Sequence, residues 1–154
     1  MDYDLMERQV DSLLEGESDP IANAANFAAF VYHAIPGVNW AGFYFAARSG
    51  LLLGPFAGRP ACTRLPEGRG VCGAAFTTGK TQVVDDVEAF ADHIVCDSTS
   101  RSEIVVPLIV DGTPIGVFDI DAPTLARFEA DDCEGIERLV ARFLERTPMG
   151  ALGH

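Results

Sequence analysis

Cys62, Cys72, Cys96 and Cys133 are the residues of this chain with the most chemistry in them. In a reducing compartment four thiols stay free, which points to redox or metal chemistry and away from a disulfide scaffold. A zinc site would draw on Cys62, Cys72, His93 and Cys96. Structural zinc sites take paired ligands from short knuckles, and Cys62 and Cys72 are too far apart in sequence to form one, so no metal is expected. Cys133 falls in a C-terminal helical pattern and reads as a small buried hydrophobe. The other three lie outside any apolar stripe. Cys62 and Cys72 flank a glycine-rich turn, and Cys96 stands in a polar loop beside Asp97 and Ser98.

The second group is Asp119 and Asp121 in the run Gly116-Val117-Phe118-Asp119-Ile120-Asp121. Strand side chains alternate, so both carboxylates share one face while Phe118 and Ile120 fill the other. A solvated face would explain that pattern equally well. Glu103 opens the preceding strand, and its side depends on the turn between them: a three-residue turn sets it opposite Asp121, a two-residue turn does not. Trp40 and Tyr44, four apart, also share a face and read as core aromatics.

Tyr3, Met6, Val10, Leu13 and Leu14 recur at helical spacing up to Gly16. Asp19 and Pro20 cap and start a second helix, stopped by Pro36 and Gly37. Residues 39–47 and 51–56 form a β-hairpin about Arg48-Ser49-Gly50. A short strand is expected over Ala61–Leu65, a helix over Val71–Thr78 closed by Gly79, and a strand over Gln82–Val84. Residues 85–101 lack a period and read as a long loop with one helical turn, the kind of segment that often carries function. Residues 103–110 and 114–121 are apolar strands joined at Asp111-Gly112-Thr113. Ile136, Leu139, Val140, Phe143 and Leu144 mark a final helix, and 147–154 reads as a flexible tail. The order gives an α+β fold: an antiparallel sheet with helices packed on its faces, a single domain over 1–154 with residues 1–37 as N-terminal helices.

At 154 residues and 48% hydrophobic composition the chain can bury a core unaided. A net charge of -12 repels phosphate backbones and anionic lipid, so nucleic-acid and membrane partners are not expected. No apolar run is long enough to span a bilayer, and the acidic N-terminus is unlike a signal peptide, so the expected location is the cytosol.

Several blocks together resemble the free methionine-(R)-sulfoxide reductases, which are GAF-fold enzymes: Glu67-Gly68-Arg69-Gly70-Val71-Cys72-Gly73, Asp86-Val87, Asp92-His93-Ile94-Val95-Cys96-Asp97, Ser102-Glu103-Ile104-Val105-Val106-Pro107-Leu108, and Gly116 to Asp121. The resemblance implies reduction of free L-methionine (R)-sulfoxide to methionine. It makes Cys96 the attacking thiolate that becomes a sulfenic acid and Cys62 the resolving thiol that closes a disulfide. Cys72 is then a second resolving or relay thiol. It gathers Glu103, Asp119 and Asp121 in the pocket to protonate the sulfoxide oxygen and bind the substrate ammonium, and makes Trp40 and Tyr44 an aromatic wall for the substrate methyl group. It implies no bound cofactor, with thioredoxin or another dithiol as reductant, and related GAF proteins often form homodimers. Arg69 reads as structural, the amides of residues 92–97 as a nest for the substrate carboxylate, and His93 is given no role. The rival reading is a GAF module that binds a small ligand or reports oxidants without turnover.

Overall fold

The computed structural model describes residues 1–152. Four helices, α1 (Tyr3–Leu13), α2 (Pro20–Ala34), α3 (Gly70–Thr78) and α4 (Ala130–Arg146), surround six strands: β1 (Trp40–Ala47), β2 (Gly50–Gly58), β3 (Arg64–Pro66), β4 (Gln82–Val84), β5 (Ser102–Val110) and β6 (Thr113–Ala122). Among the described residues no helix is long and apolar enough to cross a membrane. The helix ends follow local chemistry. Asp2 accepts from the Leu5 amide and Asp19 from the Ala22 amide, with Pro20 at the first helical position. Gly79 ends α3 in the left-handed conformation, and Glu129 with Asp132 forms a capping box on α4.

The strands form one antiparallel sheet in the order β3-β2-β1-β6-β5-β4, so the first strand of the chain pairs with the last. The β5–β6 hairpin differs from expectation in an informative way. Its loop is the two-residue Asp111-Gly112, both at positive φ, the turn that matches strand twist. Such a turn alone would set Glu103 opposite Ile120. Ile109 pairs with Pro114 but Leu108 with Gly116, so Ile115 is an extra residue in β6, and this bulge shifts the register by one. Beyond it Glu103 faces Asp121 and Val105 faces Asp119. The expected pairing of Glu103 with Asp121 therefore holds, but through a bulge and not through a three-residue turn.

The two faces of the sheet have different fillings. Under α1, α2 and α4, Ala41, Phe43, Ile104, Val106, Phe118 and Ile120 meet the helical stripes. Phe27, Phe43, Phe118 and Phe143 pack there with ring centroids 4.8 to 5.9 Å apart. The opposite face carries α3 and a smaller cluster that includes Trp40, Tyr44, Cys72, Val105 and Val117.

Two expectations change. The short strand lies at Arg64–Pro66, which leaves Ala61, Cys62 and Thr63 in the connector after β2. The described part of the 147–154 stretch is docked: Thr147 and Met149 are buried, and the Asn23 side-chain amide donates to Thr147 Oγ1 at 3.0 Å. A tertiary contact with α2 fixes residues that have no period of their own; residues 153 and 154 lie outside the described chain.

α1 is joined to α4 by a close approach that only glycine allows. A Cβ on Gly135 would come within 2.2 Å of the Tyr3 ring, whose hydroxyl donates to Asp132 Oδ1 at 2.6 Å. Glycine to alanine inside a helix ordinarily gains about 1 kcal/mol. Here Gly135→Ala should instead lower stability by about 1–3 kcal/mol through overpacking, read as a reduced urea midpoint; an increased midpoint would contradict this packing.

Candidate active site

Sheet register assembles the floor of the site. Trp40 pairs with Asp121, Gly42 with Asp119 and Tyr44 with Val117 across β1–β6, and Glu103 pairs with Asp121 across β5–β6. Directly paired residues share a face, so Trp40, Tyr44, Glu103, Asp119 and Asp121 all project to the α3 side. Gly42 keeps this floor open. A Cβ there would lie 2.7 Å from the Trp40 indole and 2.3 Å from Phe56 Cβ. Without it, Trp40 stacks between Phe56 and Tyr44, with centroids 5.3 and 6.0 Å away.

Three carboxyls crowded on this floor cannot all ionise. Glu103 and Asp119 are buried, and burial pushes both upward in pKa; Asp119 is raised further by the neighbouring Asp121 and Glu103. Asp121, half-buried, is also raised, by burial first and by Glu103 second. Asp119 lies two residues from Asp121 on the same face, and both neighbouring carboxyls favour its protonated form. One oxygen of Asp119 and one of Asp121 are enclosed without a hydrogen-bond partner. Enclosed orphan acceptors are costly and mark where a donor is expected to sit. An ammonium or a protonated oxygen on a ligand would supply one.

The cysteines divide. Cys62 and Cys96 form a disulfide with a Cα–Cα distance of 5.3 Å, bridging the β2–β3 connector and the 85–101 segment above the floor. Cys72 remains a free thiol, buried in the first turn of α3 and within 4.8 Å of donor oxygens of Glu103 and Asp119. It belongs to a packed cluster, contrary to its expected place outside any core stripe. Burial and then Asp119, Glu103 and Asp121 push its pKa well up, so it is held as a thiol. The four donors weighed for zinc do not assemble, because Cys62 and Cys96 bind each other. Cys133 is half-buried against the helix-side core, near Glu137 and remote from this site.

The polar edges of the aromatic floor hold the connector above it. The Tyr44 hydroxyl donates to the Cys62 carbonyl at 2.7 Å, and Trp40 Nε1 donates to the Arg59 carbonyl at 3.1 Å. On the other side, Asp92 accepts from the Gly70 amide at 3.0 Å and pairs with Arg69 at 2.7 Å. The amide first and Arg69 second hold the Asp92 carboxyl below its ordinary pKa. This tie fastens the segment bearing Cys96 to the start of α3 and gives Arg69 its structural role. Sequence reasoning did not single out Asp92; the basic residue inside the turn Gly68-Arg69-Gly70 was the available signal. His93, Ile94 and Asp97 also line the pocket, and burial lowers the His93 pKa, which favours a neutral imidazole. With the disulfide closed, the cavity holds about 50 Å³, room for only a few waters.

A family model described as GAF domain matches residues 21–147. Protein YtsP of Bacillus subtilis is 51% identical over 94% of this chain and 87% of its own length. Free methionine-R-sulfoxide reductase of Escherichia coli is 44% identical over 91% of this chain and 85% of its own. An X-ray structure of free methionine-R-sulfoxide reductase from Neisseria meningitidis in complex with its substrate superimposes with a TM-score of 0.89. It is 46% identical, covering 94% of this chain and 87% of that one.

The raised carboxyls have a consequence for stability. Asp119 keeps its proton in the folded chain at pH values where the unfolded chain has released it, so its contribution to stability falls as pH rises above the ordinary aspartate range. Asp119→Asn keeps a neutral polar side chain of the same shape and removes that linkage. At neutral pH the variant should unfold at a higher urea concentration than the parent with the disulfide intact, and the gap should close toward pH about 4. Equal midpoints at both pH values would show that Asp119 ionises normally.

Proposed function

This chain belongs to the GAF-domain family, on its free methionine-R-sulfoxide reductase branch, and from that premise we propose that its pocket reduces free L-methionine (R)-sulfoxide to L-methionine by thiol chemistry. The observation that carries this reading is a disulfide whose Cys96 lines the same pocket as three carboxyls, one of them buried and biased by the other two to keep its proton. Sulfoxide reduction needs those two things together: a sulfur that can accept oxygen, and acid for the oxygen as it leaves sulfur.

In the proposed course, Asp119 is the leading proton donor to the sulfoxide oxygen. Asp121 and Glu103, the one at the edge of the floor and the other across the hairpin from it, take the substrate ammonium between them. Trp40 and Tyr44 present apolar ring faces to the methyl group. Cys96 attacks the sulfoxide sulfur, the S–O bond passes its oxygen to Cys96 as a sulfenic acid, and methionine leaves. Cys62 then attacks the Cys96 sulfur; its thiol proton and the hydroxyl leave as water, and the bridge closes. An acidic site disfavours a resting thiolate, so Cys96 loses its proton in concert with protonation of the sulfoxide oxygen.

Cys72 fits resolution less well than Cys62. Its thiol is held protonated among acids, whereas Cys62 is the cysteine bonded to Cys96. We assign Cys72 to the floor, where it packs beside Asp119. Cys96 is exposed, which leaves the bridge open to a dithiol partner. Thioredoxin, in a cytosolic setting that keeps catalytic disulfides transient, is the proposed reductant. All of these groups fall within the one domain.

Reduced protein mixed with racemic methionine sulfoxide and no reductant should release one methionine per chain, lose two thiols and consume only the R form. Cys96→Ser should release none, and Asp119→Asn should lower kcat/KM by about 10²–10⁴, the usual worth of a general acid. A module that only reports oxidants would close the disulfide with peroxide and release no methionine, and that result would overturn the reading.

A further inference from the structure

The Tyr44 ring faces the pocket, yet its hydroxyl is committed elsewhere, to the carbonyl of the very cysteine that closes the bridge. Cys62 lies in a connector of residues 59–63, which has no strand of its own. Among the described residues three hydrogen bonds hold that connector: Trp40 Nε1 to the Arg59 carbonyl at 3.1 Å, the Tyr44 hydroxyl to the Cys62 carbonyl at 2.7 Å, and the Leu53 amide to the Thr63 carbonyl at 2.9 Å. Only the Tyr44 bond falls on the cysteine itself. Tyr44 is anchored in turn, because its backbone pairs with Val117 on the rigid β1–β6 seam and its ring stacks on Trp40. Cys96, by contrast, rides on a segment tied through Asp92 on one side and through Thr99 and Ser100 to Asn39 on the other.

We propose that Tyr44 is a positioning residue for resolution: by fixing the Cys62 carbonyl it sets the effective concentration of the Cys62 thiol at Cys96. This role of the hydroxyl rests on the reductase reading and belongs to the second step, where the Cys62 sulfur attacks the Cys96 sulfur, the S–O bond breaks and water leaves. Intramolecular steps of this type are governed by how well the two partners are held before reaction. The side chain thus has two uses on one residue, with the ring face toward the substrate and the hydroxyl on the backbone that delivers the second thiol. A promptly closed bridge also protects Cys96, since sulfenic acids left open oxidise irreversibly.

The test is Tyr44→Phe, which keeps the ring and deletes the bond. Reduced protein is given methionine (R)-sulfoxide with no reductant and a dione that traps sulfenic acid. The fraction of methionine-releasing events that end as trapped Cys96 should rise about fivefold over the parent, the worth of one hydrogen bond, with Cys62→Ser marking full trapping. A second measurement uses no sulfoxide: equilibration against reduced and oxidised glutathione should show the Cys62–Cys96 bridge about fivefold less favoured in Tyr44→Phe. A structural role alone would lower the urea midpoint and leave both ratios where they are. Unchanged trapping together with an unchanged glutathione equilibrium overturns the proposal. If the parent releases no methionine, the reductase reading fails, and the glutathione equilibrium still decides what Tyr44 does.

Discussion

Three carboxyls held side by side on one face of a sheet cannot all carry charge, and much of the site follows from that constraint. Water would relieve the repulsion, but Glu103 and Asp119 are closed off from it by α3 and by the two segments joined through the disulfide. Protons relieve it instead. Asp119, buried and raised by both neighbouring carboxyls, is the group biased most clearly toward keeping one. Burial first, and the same carboxyls second, raise Cys72 and the Tyr44 hydroxyl as well. The pocket therefore favours the neutral forms of Asp119, the Cys72 thiol and the Tyr44 phenol. Such a site can give up protons to an incoming oxygen and offer unmet acceptors to an incoming ammonium.

A floor of that kind is unfavourable for folding, and the rest of the molecule offsets it. The opposite face of the same strands is built for stability. Phe43 and Phe118, whose strand neighbours Gly42, Tyr44, Val117 and Asp119 point the other way, meet Phe27 and Phe143 in a dense aromatic cluster. Each strand thus carries cohesion on one side and chemistry on the other, and the bulge at Ile115 keeps the two sets apart. Without that extra residue Glu103 would pair with Ile120, and a carboxyl would be driven into the helix-side core. One residue of strand geometry separates an acidic pocket floor from a folding defect.

How far the sequence could be read depended on the range of the forces involved. Alternation placed Asp119 and Asp121 together, because the period of a strand is local. Helix starts at Asp19 and Pro20 and the stop at Gly79 were legible for the same reason. The position of Glu103 was not, since a bulge has no dependable signature and its partner lies across a hairpin. Cys72 falls in no apolar stripe of the sequence because the residues that enclose it, Val105 and Val117 among them, come from distant strands. Thr147 and Asp92 show the same limit: each is fixed by a partner far along the chain, Asn23 in one case and Gly70 with Arg69 in the other. The pairing of Cys62 with Cys96 came from family resemblance, and spacing alone would not have chosen it over Cys72.

The central claim is that Asp119 is a neutral acid at the pH where the chemistry runs. The most direct measurement follows the side-chain carboxyl carbon of Asp119 by NMR across a pH titration of the oxidised protein, with Asp119→Asn used to assign the signal. The account predicts a protonated chemical shift that persists well above the pH at which exposed aspartates ionise. A signal that titrates near the ordinary aspartate value of about 3.9, in step with exposed carboxyls, would contradict it.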